Sequence, residues 1–287
     1  MLIERKKVIP LLRTAVSTLI GNKVVIFPFF IIAFVQLLLL ELIYFSPRYP
    51  LNIFFGPLIR HFWSEKYLHF PYNFIILPRL YQNSFLQAFV YIFISSFFIA
   101  SAIAIVSAIN SDQHVKIRKI FREVMSHYFH IIVMAVISVV SIKLLFYITG
   151  ELNQRALEIR STAGIFFIIK RVVLIGAPYI NLIFSVFVTT IFAYVLPIIV
   201  IEKKKIFSAL WLNFKTLWGS FWFTFTITLI PVLFLIPIIL LRSSFAVDVL
   251  FPEMTVFVLV LSAIIMVAID AVIYTVVTVY YLFLKED

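Results

Sequence analysis

The sequence predicts an all-α integral membrane protein of six transmembrane helices. They form three pseudo-repeats, each led by an amphipathic helix on the cytoplasmic face, with further interfacial helices on the outer side. Three observations carry that prediction. The mean hydropathy is +1.12, and only 13% of the 287 residues are charged, where soluble domains carry roughly 25%. Six apolar runs each approach the ~20 helical residues that a ~30 Å hydrocarbon core requires. Basic clusters precede every second run.

Taken in order, the first run covers residues 24–45 and follows Arg5, Lys6 and Lys7. It exceeds the about 7–15 apolar residues of a secretory signal and lacks an Ala-x-Ala-like exit, so it is expected to stay attached as a span. The next stretch, YPLNIFFGPLIRHFWSEKYLHFPYNFIILPRLYQ, is too interrupted to span and too aromatic to float in water. It predicts short outer-interface helices broken at Pro57, Pro71 and Pro78. Runs 85–109 and 129–149 follow. The former carries Ser96, Ala100, Ala104 and Ala108 as a ladder of small residues that admits close helix approach, a core seam or else a dimer seam.

The stretch GIFFIIKRVVLIGAP reads as another outer helix, broken at Pro178, ahead of run 178–201. Such helices form a packing collar or roof a lateral opening for lipid tails. Runs 221–241 and 255–284 complete a single membrane domain of residues 1–287, beside which no soluble catalytic domain fits.

Orientation follows from basic residues near span ends. Arg5, Lys6, Lys7, Arg13 and Lys23, then Lys116, Arg118, Lys119 and Arg122, then Lys203, Lys204, Lys205 and Lys215 are assigned to the cytoplasm, with both termini. The opposite segments carry Arg48, Arg60, Lys66, Arg79, Arg155, Arg160, Lys170 and Arg171 over longer stretches of chain. The net charge of +11 suits anchoring to anionic headgroups. It does not point to nucleic acid, because no basic patch sits on a soluble fold.

The three basic segments align. Thr18-Leu19-Ile20-Gly21 matches Thr216-Leu217-Trp218-Gly219, with Glu123-Val124-Met125-Ser126 in the same slot. That register stacks Leu12, Val16 and Leu19 over Ile117, Phe121 and Val124, and over Leu210, Phe214 and Leu217. Each set is spaced as one stripe of a helix, expected to dip into the interface. Arg13, Arg118, Arg122 and Lys215 flank the stripes and can snorkel to headgroups. Trp211, Trp218 and Trp222 suit the headgroup boundary, where an indole buries its ring and keeps its N–H wet.

Polar groups inside apolar runs are costly and therefore informative. Glu41 and Lys143 fall at comparable depth near the outer face, where they could pair or snorkel. Asp270 lies in the middle of IIMVAIDAVIYTVV and must face the bundle, bond a neighbour or be protonated, as a structural group or as part of a proton or ion relay. No cofactor is expected. The chain has no cysteine, and His61, His69, His114, His127 and His130 form no metal-ligand pattern. The serines lack a nucleophile elbow, and the scattered glycines form no phosphate loop.

The stretch LPIIVIEKKKIFSALWLNFKTLWGSFW, with VVTVYYLFLKED near the end, resembles a family of six-span bacterial membrane proteins. That family is the membrane domain found with glycerophosphodiester phosphodiesterases, together with related uncharacterised proteins. Pro197 and Glu202 match its closing of the fourth span, Ala209 and Leu217 its following helix, and Tyr280 and Tyr281 its Tyr-rich exit. Asn213 and Phe214 stand where the family usually has Ser. The resemblance implies a bacterial inner-membrane protein with the fold but without the phosphodiesterase chemistry, whose separate barrel domain is missing from this sequence.

Two functional classes follow. The first is a non-enzymatic module that handles membrane lipids or assembles with a membrane-protein partner or a second copy of itself. The alternative is a small-molecule or ion transporter. Six spans in three repeats resemble the mitochondrial carriers, but their Pro-x-acidic-x-x-basic signature is absent.

Overall fold

The computed structural model describes residues 7–83, 85–111, 113, 115–159, 164–242 and 253–286. Arg5, Lys6, His114 and Arg160 lie outside them. All regular structure among the described residues is helical. Six helices are long and apolar enough to cross a membrane: Lys23–Phe45, Phe85–Asn110, Tyr128–Glu158, Gly164–Glu202, Phe221–Leu241 and Met254–Lys285. That is the make-up of a multi-pass membrane protein.

The chain opens with α1 (Val8–Gly21), which stops where Asn22 leaves helical geometry, and turns into α2 (Lys23–Phe45), the first span. Two short helices follow, α3 (Asn52–Phe62) and α4 (Tyr72–Asn83). The second span joins α5 (Phe85–Phe89), a wide π-type turn over Val90–Ser95, and α6 (Ser96–Asn110). Then come α7 (Ile117–Ser126) and the third span, α8 (Tyr128–Glu158). The fourth span is α9 (Gly164–Ile191) and α10 (Val195–Glu202), separated by a turn. After α11 (Ile206–Trp218), the fifth span runs through α12 (Phe221–Val232), a tight turn over Leu233–Leu235 and α13 (Ile236–Arg242). The last span is α14 (Met254–Glu286).

Three expected breaks are absent. Pro57, Pro78 and Pro178 lie inside α3, α4 and α9. A proline removes one ladder hydrogen bond and crowds one carbonyl, and the helix-favouring residues on both sides carry the ladder past it. GIFFIIKRVVLIGAP is therefore the first half of the fourth span and not a separate outer helix. The third span likewise outruns its apolar stretch, because Glu151 to Glu158 are good helix formers that extend it beyond the hydrophobic run.

Packing follows a cyclic order. The first span lies against α6 and α14, the third against α6 and α9, and the fifth against α9 and α14. α6 also meets α10 and α14, which places the even-numbered spans inside. The core joins Ile99, Ile103 and Ile105 of α6 to Ile198 and Ile199 of α10 and Val276 and Val277 of α14. Phe30, Phe34 and Phe45 of the first span remain exposed outward, where hydrocarbon is as good a solvent as another helix.

The three surface helices sit on the same end of this arrangement. α1 packs on α14, α2 and α12; α7 packs on α6 and α8; α11 packs on α10, α8 and α12. At the other end α4 is wedged in. Phe74, Leu77 and Tyr81 are buried, and Leu77 and Tyr81 pack on Leu39, Leu40 and Ile43 of α2 and on Leu259 and Ala263 of α14. The Tyr81 hydroxyl donates to Gln36 Oε1 at 3.0 Å. Burial pushes the Tyr81 phenol up to about 12 from its ordinary value of 10.0.

Candidate functional site

The most densely bonded polar region begins at the break in the fourth span. α9 ends at Ile191 and α10 starts at Val195, just ahead of Pro197, whose ring and missing N–H disfavour an unbroken helix. The break frees backbone groups at a depth where unpaired ones cost several kcal/mol by general estimates (about 2–7). Asn213 of α11 supplies both partners. Its Oδ1 accepts the Tyr194 N–H at 3.0 Å, and its Nδ2 donates to the Ile191 carbonyl at 2.8 Å. The side chain is fully buried. One amide thus couples the surface helix to the fourth span.

A column of hydroxyls continues from there. Tyr194, itself fully buried, has its hydroxyl 2.5 Å from Thr224 Oγ1 and 3.4 Å from Ser220 Oγ. Thr190 Oγ1 lies 3.0 Å from Thr228 Oγ1. Each of the four threonine and serine hydroxyls also has a carbonyl four residues back within reach, and since a hydroxyl carries one proton, one of Thr190 and Thr228 donates to the other and gives up its carbonyl. The Tyr194 ring packs on those of Tyr280 and Tyr281 in α14. Tyr281 then donates to Glu202 Oε1 at 2.5 Å, and Lys285 Nζ stands 3.6 Å from the same oxygen. The next residue, Lys203, adopts the left-handed conformation that ends α10 and pairs with Glu123 of α7 at 2.6 Å. Neighbouring acid and base therefore tie the end of the fourth span to the last span on one side and to α7 on the other.

A second polar group lies deeper. Tyr274 of α14 and Tyr91 of the second span bring their hydroxyls to 3.4 Å. They line a cavity of about 40 Å³ with Ser96, Ser138 and Thr189 among its polar walls. At roughly 10–15 Å³ per water by this measure, the space holds about three water molecules. Asp270 precedes Tyr274 by one helical turn and lies near enough to both phenols to act on them electrostatically. Its carboxylate forms no hydrogen bond or ion pair among the described residues.

The other residues singled out in the sequence are not gathered at one place. Glu41 and Lys143 are both exposed, on α2 and α8, and no ion pair joins them among the described residues. Both helices pack on α6. Of the small-residue ladder, Ser96 and Ala100 are buried and Ala104 and Ala108 half-buried on the central α6.

Arg13, Arg118, Arg122 and Lys215 are exposed, as are Trp211, Trp218 and Trp222. Trp218 is 93% accessible. The apolar stripes are rotated from those expected. Leu19, Val124 and Leu217 are buried, but into the bundle, and their companions there are Leu11 and Ala15, Ile120, and Ala209 and Asn213. Val16 and Phe214 face outward instead.

Asn213, Tyr194, Tyr91 and Tyr274 were not picked out by sequence reasoning as a site. Tyr274 carried a usable signal, since it falls one turn from Asp270. Comparison of the chain with protein-family models, curated proteins and solved structures finds no match.

Proposed function

We propose that the chain is a non-enzymatic membrane module of three repeats that handles lipid at the cytoplasmic face through α1, α7 and α11. The observation that carries this reading is the equivalence of the three surface helices in the register Ala15, Ile120, Asn213. Those positions are buried, as are Leu19, Val124 and Leu217 four residues on. The next position, Ile20, Met125 or Trp218, is exposed and apolar in all three.

Each helix also ends alike. Asn22 Nδ2 bonds the Thr18 carbonyl at 3.1 Å, His127 Nδ1 the Glu123 carbonyl at 3.3 Å, and Ser220 Oγ the Thr216 carbonyl at 2.9 Å. These are three chemically different side chains performing one turn at one aligned position. The cyclic placement adds support, because each surface helix packs on the even-numbered span that closes the preceding pair.

The outward faces set the chemistry. On α11, Phe207, Trp211, Phe214 and Trp218 recur at helical spacing beside Lys215, which suits the boundary between acyl chains and anionic headgroups. The basic residues near the span ends support cytoplasmic termini, and the resemblance to the six-span bacterial membrane domain suits an inner-membrane location. Reporters fused after Ser46 and Ile159 should then read as external.

The module reading is preferred to transport because the outward aromatic and basic face of α11 suits a bilayer interface. Replacing Phe207, Trp211 and Trp218 together with Ser should reduce the lipid that copurifies in mild detergent while leaving the bundle folded. Unchanged lipid retention, or solute uptake by proteoliposomes, would replace this reading with another.

A further inference from the structure

At the end of the first span remote from α1, an open groove of about 310 Å³ is lined by Leu38, Glu41, Leu42, Phe45 and Tyr49, among others. The walls are apolar except for the carboxylate. Eighteen residues of helix separate Lys23 from Glu41, about 27 Å at 1.5 Å per residue, so the carboxylate reaches the opposite headgroup boundary of a ~30 Å core. We propose that this groove binds a phospholipid with a primary ammonium headgroup, the ammonium pairing with Glu41 and an acyl chain lying along Leu38, Leu42 and Phe45.

Charge complementarity selects that occupant. Glu41 has no hydrogen bond and no ion pair among the described residues, and an acid at this depth calls for a cation. The described cations nearby are engaged elsewhere. Arg48 lies over the Tyr44 ring at 3.7 Å and donates to the Tyr44 carbonyl at 2.9 Å. Arg60 pairs with Glu65 at 3.4 Å, and Lys66 sits over the rings of Tyr67 and Tyr72. Among the described residues none of these cations is placed to pair with Glu41, which leaves the carboxylate open to a cation of the bilayer.

A primary ammonium satisfies a carboxylate better than a quaternary one, because it donates hydrogen bonds while a choline cannot. The exposed Tyr49 ring offers a second, weaker attraction for the same charge. The site lies at the opposite end of the bundle from the surface helices. It rests on the multi-pass reading but not on their role.

The test uses the full chain in nanodiscs containing equal phosphatidylethanolamine and phosphatidylcholine with identical acyl chains. Lipid retained after transfer to mild detergent is then quantified by mass spectrometry. The parent should enrich phosphatidylethanolamine about three- to fivefold, the scale of a partly exposed ion pair. Glu41→Gln should abolish the enrichment with unchanged thermal unfolding. Glu65→Gln should preserve it, and so should the triple Ser variant of α11, which separates failure here from failure of the module reading.

Tyr49→Leu, at an exposed position, should lower the enrichment even if Glu41→Gln folds poorly. Equal retention of the two lipids by the parent, or enrichment that survives Glu41→Gln, would overturn the proposal. So would full displacement by soluble phosphoethanolamine, which would assign the groove to a free amine.

Discussion

Asn213→Ala tests whether the surface helix and the broken span are one structural unit. The substitution removes two hydrogen bonds, to the Tyr194 N–H and the Ile191 carbonyl, at 3.0 and 2.8 Å. Neither backbone group has water within reach, since the side chain that satisfies them is fully buried. Leaving a buried group unpaired costs about 1–3 kcal/mol, so the pair together accounts for roughly 2–6 kcal/mol. Converted at about 2 °C per kcal/mol for a chain of this size, the melting temperature should fall by roughly 4–12 °C. Asn213→Gln carries the same amide on a longer stem and should recover little, because the packed site has no room for an added methylene. Thr226→Ala is the control, for its exposed hydroxyl bonds only the Trp222 carbonyl of its own helix. The assay is thermal unfolding in one detergent, followed by intrinsic Trp fluorescence. A melting temperature within about 1 °C of the parent for Asn213→Ala would show that the break closes into regular helix unaided, and the coupling argument would fail.

Three further outcomes are expected. In a double-mutant cycle, Thr190→Val and Thr228→Val should couple by about 0.6 kcal/mol, the average for interhelical bonds in membranes, and strictly additive losses would show that the 3.0 Å contact contributes nothing. Asp270→Asn keeps size and hydrogen bonding while removing charge, so a structural Asp270 predicts normal purification and lipid retention; selective loss of a pH-dependent conformational change would instead support a relay through Tyr274 and Tyr91. Tyr81 is pushed up to about 12 by burial, so the unfolded chain ionises first: its contribution is complete below pH 10 and is lost as pH rises toward 12. Tyr81→Phe should therefore flatten the decline in stability over that window, and an identical pH profile for the two proteins would refute the assignment.

The spans were legible in the sequence because lipid imposes length and apolarity with few exceptions. The details that were misread share a physical cause: hydropathy reports what a residue is, not what it faces. Val16 and Phe214 are as apolar as Leu19 and Leu217, and an i, i+4, i+7 stripe fits either the lipid or the bundle. Only packing on α14 and α10 decides which side turns inward. Asn213 was obscured further, since it is polar at a core position and registers as a gap in the apolar pattern. Its role depends on a helix break nineteen residues earlier. The prolines misled in the opposite direction: Pro178 was read as a break and is absorbed, while the turn between Ile191 and Val195 forms ahead of Pro197.

That contrast between two prolines explains why the fourth span breaks where it does. At Pro178 the helix continues past the ring, and among the described residues no side chain from another element is hydrogen-bonded to the backbone there. At Pro197 the amide of Asn213 waits with one acceptor and one donor, so the open conformation costs less than the strain of closing it. The break in turn aims the end of α10, placing Glu202 against Tyr281 and Lys285 and placing Lys203 against Glu123. α11 both holds the break and presents Trp211 and Trp218 outward, and Asn213 joins it to the fourth span, whose end in turn touches α7 and α14. A lipid-handling role for the surface helices thus has a physical route into the bundle, one that Asn213→Ala would cut without altering a single outward-facing residue.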